Sequence, residues 1–83
     1  MADKEVFEST FIIGPNGEDR VVVYFEPTGM MHEVAAGDHV RVRVFGPDSG
    51  VPEIWHSPSN VVIWGWPGAL IEAWDKSGRA LEI

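Results

Sequence analysis

Apolar and polar residues alternate along much of this chain, most clearly where Val40, Val42 and Val44 are separated by Arg41 and Arg43. A period of two places the three valines on one face of a strand and the two guanidiniums on the other. The segment from Glu5 to Ile13 sets Phe7, Ser9, Phe11 and Ile13 against Val6, Glu8, Thr10 and Ile12. It stops at Gly14-Pro15-Asn16-Gly17, where Asn16-Gly17 is a strong turn dipeptide. From Arg20 to Glu26 the chain is β-branched and aromatic through Val21, Val22, Val23, Tyr24 and Phe25, and it closes at Pro27-Thr28-Gly29. These first two strands are expected to pair as a hairpin.

Met30 to Val34 forms a short extended piece, and Gly37-Asp38 suits a tight turn into the Val40 strand. After the loop Gly46-Pro47-Asp48-Ser49-Gly50, Val51 to Ser57 is a weak strand. Pro52 cannot donate to a ladder, which sends that strand to a sheet edge. Val61 to Trp66 is a strong strand. Ala69 to Asp75 fits helix or strand on composition, but Asp75-Lys76-Ser77-Gly78 has the form of a type I turn with Gly78 in the left-handed position, as in a bulged hairpin. That favours a strand, with a helix ending at Gly78 as the alternative.

The pattern predicts an all-β protein: a small single-domain barrel or two-sheet sandwich of about seven to eight short antiparallel strands, closed or layered because exposed edges invite aggregation. It covers residues 1–83, with residues 1–4 as a flexible amino terminus. Composition supports one core. A chain of 83 residues has no area for a second one, and its four Trp, four Phe and one Tyr supply large buried surfaces.

Charge narrows the partners. Thirteen acidic residues against six basic ones give a net charge of −7, which repels phosphate backbones and anionic lipid, so neither nucleic acid nor membrane is expected as a partner. The chain has no cysteine, which removes disulfides, zinc-thiolate sites and thiol nucleophiles. Met1-Ala2-Asp3-Lys4-Glu5 is charged and is not followed by the apolar stretch of a signal peptide. The apolar run Val61 to Ile71 is broken by Gly65, Pro67 and Gly68 and is shorter than the roughly 20 residues that span a bilayer. The expectation is a soluble, cytoplasmic protein.

Candidate chemistry is sparse. His32, His39 and His56, with Glu33 and Asn60 nearby in sequence, are the candidate metal ligands, since three imidazoles and a carboxylate in a barrel satisfy zinc, iron or manganese. His56-Ser57-Pro58-Ser59-Asn60 is similar to part of the second cupin motif, a histidine and an asparagine separated by three residues. The first cupin motif has paired histidines and a following glutamate, and this chain offers only single histidines. Gly37-Asp38-His39-Val40 resembles the Gly-Asp strand entry of SH3-like barrels and cupredoxins, but the cupredoxin copper cysteine and the SH3 tyrosine-rich loop have no counterpart. Carboxylates at Glu18-Asp19, Glu33, Asp38, Asp48, Glu53, Glu72 and Asp75 sit mostly at turns rather than across a cleft. There is no Gly-x-Ser-x-Gly elbow and no phosphate-binding glycine loop. The sequence therefore predicts no enzyme, no catalytic residues and no cofactor.

The tryptophans remain, with Trp55, Trp64, Trp66 and Trp74 all within twenty residues. Alternation over Val61 to Trp66 puts Val61, Ile63 and Gly65 on one face and Val62, Trp64 and Trp66 on the other, so both faces are apolar. Such a strand needs a barrel interior, a covering loop or a partner on its second side. Either Trp64 packs inside while the loop through Trp55 covers Trp66, or Trp66 and Trp74 form an exposed patch. Arg41 and Arg43 are expected to pair with acidic side chains across their sheet. The leading functional expectation is a small acidic non-enzymatic β-domain that binds protein, or itself as a homo-oligomer, with Trp55, Trp64, Trp66 and Trp74 as candidate contacts. A cupin-like barrel binding metal or a small molecule through its histidines is the alternative, and a carbohydrate-binding module the third.

Overall fold

The computed structural model of the protein describes residues 6–17, 19–48 and 50–83. Those residues form seven strands: β1 (Phe7–Ile13), β2 (Val21–Glu26), β3 (Met30–Val34), β4 (Val40–Gly46), β5 (Glu53–His56), β6 (Asn60–Trp64) and β7 (Leu70–Asp75). They make two sheets, a three-stranded sheet A in the order β1-β4-β7 and a four-stranded sheet B in the order β3-β2-β6-β5. The flexible terminus expected at residues 1–4 lies outside the described residues. No helix among the described residues is long and apolar enough to cross a membrane.

The core follows from the alternation. Val21, Val23 and Phe25 of β2 and Ile63 of β6 face Val40, Val42 and Val44 of β4 and Ala73 of β7, and all are buried. Phe7, Phe11 and Ile13 of β1 pack against this centre while Glu8, Thr10 and Ile12 point outward. The segment after β6 is a strand, β7, rather than a helix. Its turn has the expected form: Gly78 N–H donates to the Asp75 carbonyl at 2.9 Å, and Gly78 has a φ of 91°. The chain then returns only as a single bridge between Trp74 and Ala80 instead of an eighth strand.

Three sequence expectations are corrected. First, β1 and β2 do not form a hairpin: β1 pairs with β4, and β2 lies in the other sheet between β3 and β6. The connection from Gly14 to Arg20 contains Pro15 and exceeds the two-residue loop that closes a tight hairpin. The end of β1 is instead packed against the start of β4, close enough that a Cβ on Gly14 would lie 2.8 Å from the Asp38 carbonyl oxygen. Second, the strands are not all antiparallel. β2 and β6 run parallel, with Val23 beside Val61 and Phe25 beside Ile63, and so join the β2–β3 and β5–β6 hairpins into one sheet. Alternation looks the same whichever way a neighbour runs, so it carries no sign of this. Third, β6 ends at Trp64 rather than at Trp66, with consequences for the candidate site.

Candidate functional site: the outer face of sheet B

Because β6 stops at Trp64, Trp66 leaves the face that strict alternation assigns to it. Gly65 carries the chain from sheet B toward sheet A, where a Cβ would come within 3.5 Å of Val44. Trp66, Pro67, Gly68 and Ala69 then form a turn closed by the Ala69 N–H donating to the Trp66 carbonyl at 2.9 Å. The indole swings inward and is only 8% exposed. Its Nε1–H donates to the Pro47 carbonyl at 2.8 Å, and its ring lies so close to Gly50 that a Cβ there would sit 1.8 Å from the ring. Trp66 is a core residue that closes one end of the sandwich. Trp66 is therefore covered, as the first sequence alternative had it, but by the Pro47 to Gly50 side of the molecule rather than by the loop through Trp55. Trp64, which that alternative packed inside, is 40% exposed, and the exposed Trp66 patch of the second alternative is not formed.

Trp74 is not a free patch either. It stands half-buried on the outer face of sheet A, directly across from Arg41, whose guanidinium carbon lies 5.0 Å from its ring centroid. Arg43 meets the expected pairing. Its Nε–H donates to Glu8 at 2.5 Å and its terminal N–H to Glu72 at 2.9 Å, and the same guanidinium lies 3.9 Å over Phe45. These contacts raise its pKa, chiefly through the Glu8 hydrogen bond, and its charge is fixed. Arg41 differs from expectation, since its partner is an indole rather than a carboxylate.

Trp55 and Trp64 remain, and register places both on the outer face of sheet B. Met31, Tyr24, Val62 and Trp55 run across the four strands as one row, with Tyr24 opposite Met31, Tyr24 beside Val62 and Val62 opposite Trp55. Glu26, Trp64 and Glu53 form the next row. Trp55 is 60% exposed and Met31 61%. The opposite side of β6, with Val61 and Ile63, packs into the core. Both faces of β6 are thus apolar, and no element among the described residues is paired over the outer one. Tyr24, Met31 and Val62 complete this face. The alternation of Val22, Tyr24 and Glu26 was readable in the sequence, but which strand would lie beside Trp64 was not.

The three histidines are not brought together. His32 and His39 line one cavity of about 240 Å³ together with Glu33, Asp38 and Asp75, whereas His56 lines another with Pro15 and Ser57. His32 Nε2–H donates to the Glu82 carbonyl at 2.8 Å, and its ring meets Phe25 edge-on at 6.0 Å. Among the described residues no three His, Asp or Glu side chains form a group that could hold a metal ion. Asp75 is engaged in its own turn, where Oδ1 accepts from Ser77 Oγ at 2.6 Å and from the N–H groups of Ser77 and Arg79. These bonds, the Ser77 hydroxyl first, hold its carboxyl below the usual range. No family model, curated protein or solved structure matches this chain.

Proposed function

We propose that this chain is a non-enzymatic protein-binding β-sandwich whose docking surface is the outer face of sheet B, centred on Trp55 and Trp64. The observation that carries the reading is the contiguous row Met31, Tyr24, Val62 and Trp55 beside Trp64, on strands whose other side already fills the core. Large exposed aromatic and thioether side chains are the residues that dominate protein interfaces when desolvated. The occupant is another protein, not a second copy in face-to-face contact. Glu26, Glu33 and Glu53 stand on the same face, and a two-fold contact would bring the carboxylates of both copies into one interface, on a chain already at −7.

A phage-displayed random-peptide library selected against the intact chain tests this. Enriched peptides are expected to lose about tenfold or more in affinity on Trp55→Ser, as truncation of an aromatic hot spot does. The variant keeps its thermal midpoint because Trp55 is on an exposed edge strand. Enriched peptides that bind Trp55→Ser and Met31→Ser as tightly as the parent would place binding elsewhere and defeat the reading.

A further inference from the structure

Each outer face of the sandwich carries an aromatic ring on a central strand with a carboxylate on the strand to either side, and only sheet A adds a cation between them. On sheet A, the central strand β4 presents Phe45 with Arg43 two residues earlier on the same face. The flanking strands each add a carboxylate, Glu8 from β1 across from Phe45 and Glu72 from β7 across from Arg43 itself, and both accept from that guanidinium. On sheet B, β6 presents Trp64, and the strands on either side place a carboxylate directly across from it, Glu26 from β2 and Glu53 from β5. Cross-strand neighbours of this kind stand about 5 Å apart at Cβ. The position two residues before Trp64, where sheet A has Arg43, is Val62. Valine cannot supply a cation.

Resting on the docking surface described above, we infer that Trp64, Glu26 and Glu53 form a receptor for a cationic side chain, specifically an arginine on an extended segment of the partner protein. Charge on the face points the same way. Of its three carboxylates, Glu33 is bound to Arg20 at 3.3 Å, whereas Glu26 and Glu53 form no ion pair among the described residues. The cations of sheet A are committed to that sheet: Arg43 to Glu8 and Glu72, and Arg41 to Trp74. A guanidinium laid over the Trp64 ring gains a cation–π contact, and its planar fork can donate to a carboxylate on each side, as Arg43 does over Phe45. A lysine ammonium reaches the ring as a point charge but cannot span both carboxylates with the same geometry. The exposed edge strand β5, which supplies Glu53, lies where an extended partner segment would run alongside and place alternate side chains over this row.

Titrating the full ¹⁵N-labelled chain with N-acetylarginine amide, and separately with its neutral isostere N-acetylcitrulline amide, tests the inference. The four indole N–H signals report independently. Arginine amide is expected to move the Trp64 signal selectively, leaving Trp66, bonded to Pro47, and Trp74, already under Arg41, in place. Citrulline amide is expected to bind about fivefold more weakly, the loss of one exposed cation–π contact. The Glu26→Gln, Glu53→Gln double variant should weaken arginine amide binding and narrow that preference, and Val62→Arg, which puts a guanidinium two residues before Trp64 on the same face, should block the site. A Trp64 signal that does not move, an equal response to citrulline, or a preference undiminished by the double variant overturns the inference. Library peptides that depend on Trp55 yet carry no cation would leave the docking surface standing and sink this assignment alone.

Discussion

At the scale of single residues, tryptophan chemistry is decided by what lies within a few ångströms of each ring. Trp66 satisfies its indole N–H on Pro47 and packs its face against the bare backbone of Gly50. Gly50→Ala inserts a methyl where the ring already is, and the nearest atoms belong to a buried indole that cannot move outward without losing its hydrogen bond. Chemical denaturation of Gly50→Ala is expected to show a loss of about 1–3 kcal/mol from overpacking. Trp66→Ala should lose more, about 3–5 kcal/mol. Asp75 gives a second residue-level expectation, in pH. Its folded-state pKa is depressed below the ordinary 3.8, so the stabilisation it provides is complete above that value and lost as pH falls through the lower folded value. Acid unfolding followed by tryptophan fluorescence should therefore begin at higher pH in a variant that weakens the turn, Ser77→Ala, and Asp75→Asn should flatten the dependence below about pH 4.

At the scale of elements, β6 sets the character of the molecule because it is apolar on both sides. Ile63 is fully buried between the sheets, while Val62 is half-buried on the opposite face, next to Tyr24 and Trp55. Ile63→Ala should cost about 2–5 kcal/mol. Val62→Ser, measured in the same urea titration, should cost about 1 kcal/mol or less, since the outer face has no packed layer above it. Near-equal losses would mean that something covers the outer face. The strands themselves were legible: β1 to β3, β5 and β7 lie within the segments that alternation and turn residues marked, β4 overruns its segment only by Gly46, and Pro52 does sit beside an edge strand. The partnerships were not. Asn16-Gly17 is a good turn signal, yet it serves a crossing between sheets, because a turn dipeptide reports local backbone geometry and not which strand waits on the far side.

At the scale of the whole molecule, charge and apolar surface act against each other. An exposed aromatic face favours association, and a net charge of −7 with carboxylates on that same face opposes association with a like copy. Light scattering at low salt is expected to show a monomer, with any self-association strengthening as salt screens the repulsion. Binding of a basic partner should move in the opposite direction and weaken with salt. A dimer already formed at low salt and insensitive to screening would contradict the charge argument.

The sequence alone determined the strand class, most strand boundaries, the valine core of β4 and the apolar character of both sides of β6. Each of these depends on the period-two geometry of one extended segment, which neighbouring residues fix among themselves. The tertiary structure decided which strands are neighbours, the parallel pairing of β2 with β6, the inward turn of Trp66 and the placing of Glu26 and Glu53 on either side of Trp64. Those facts depend on contacts between segments far apart in the chain, where a two-residue difference in where β6 ends is enough to send one tryptophan to the core and leave its neighbour but one at the surface.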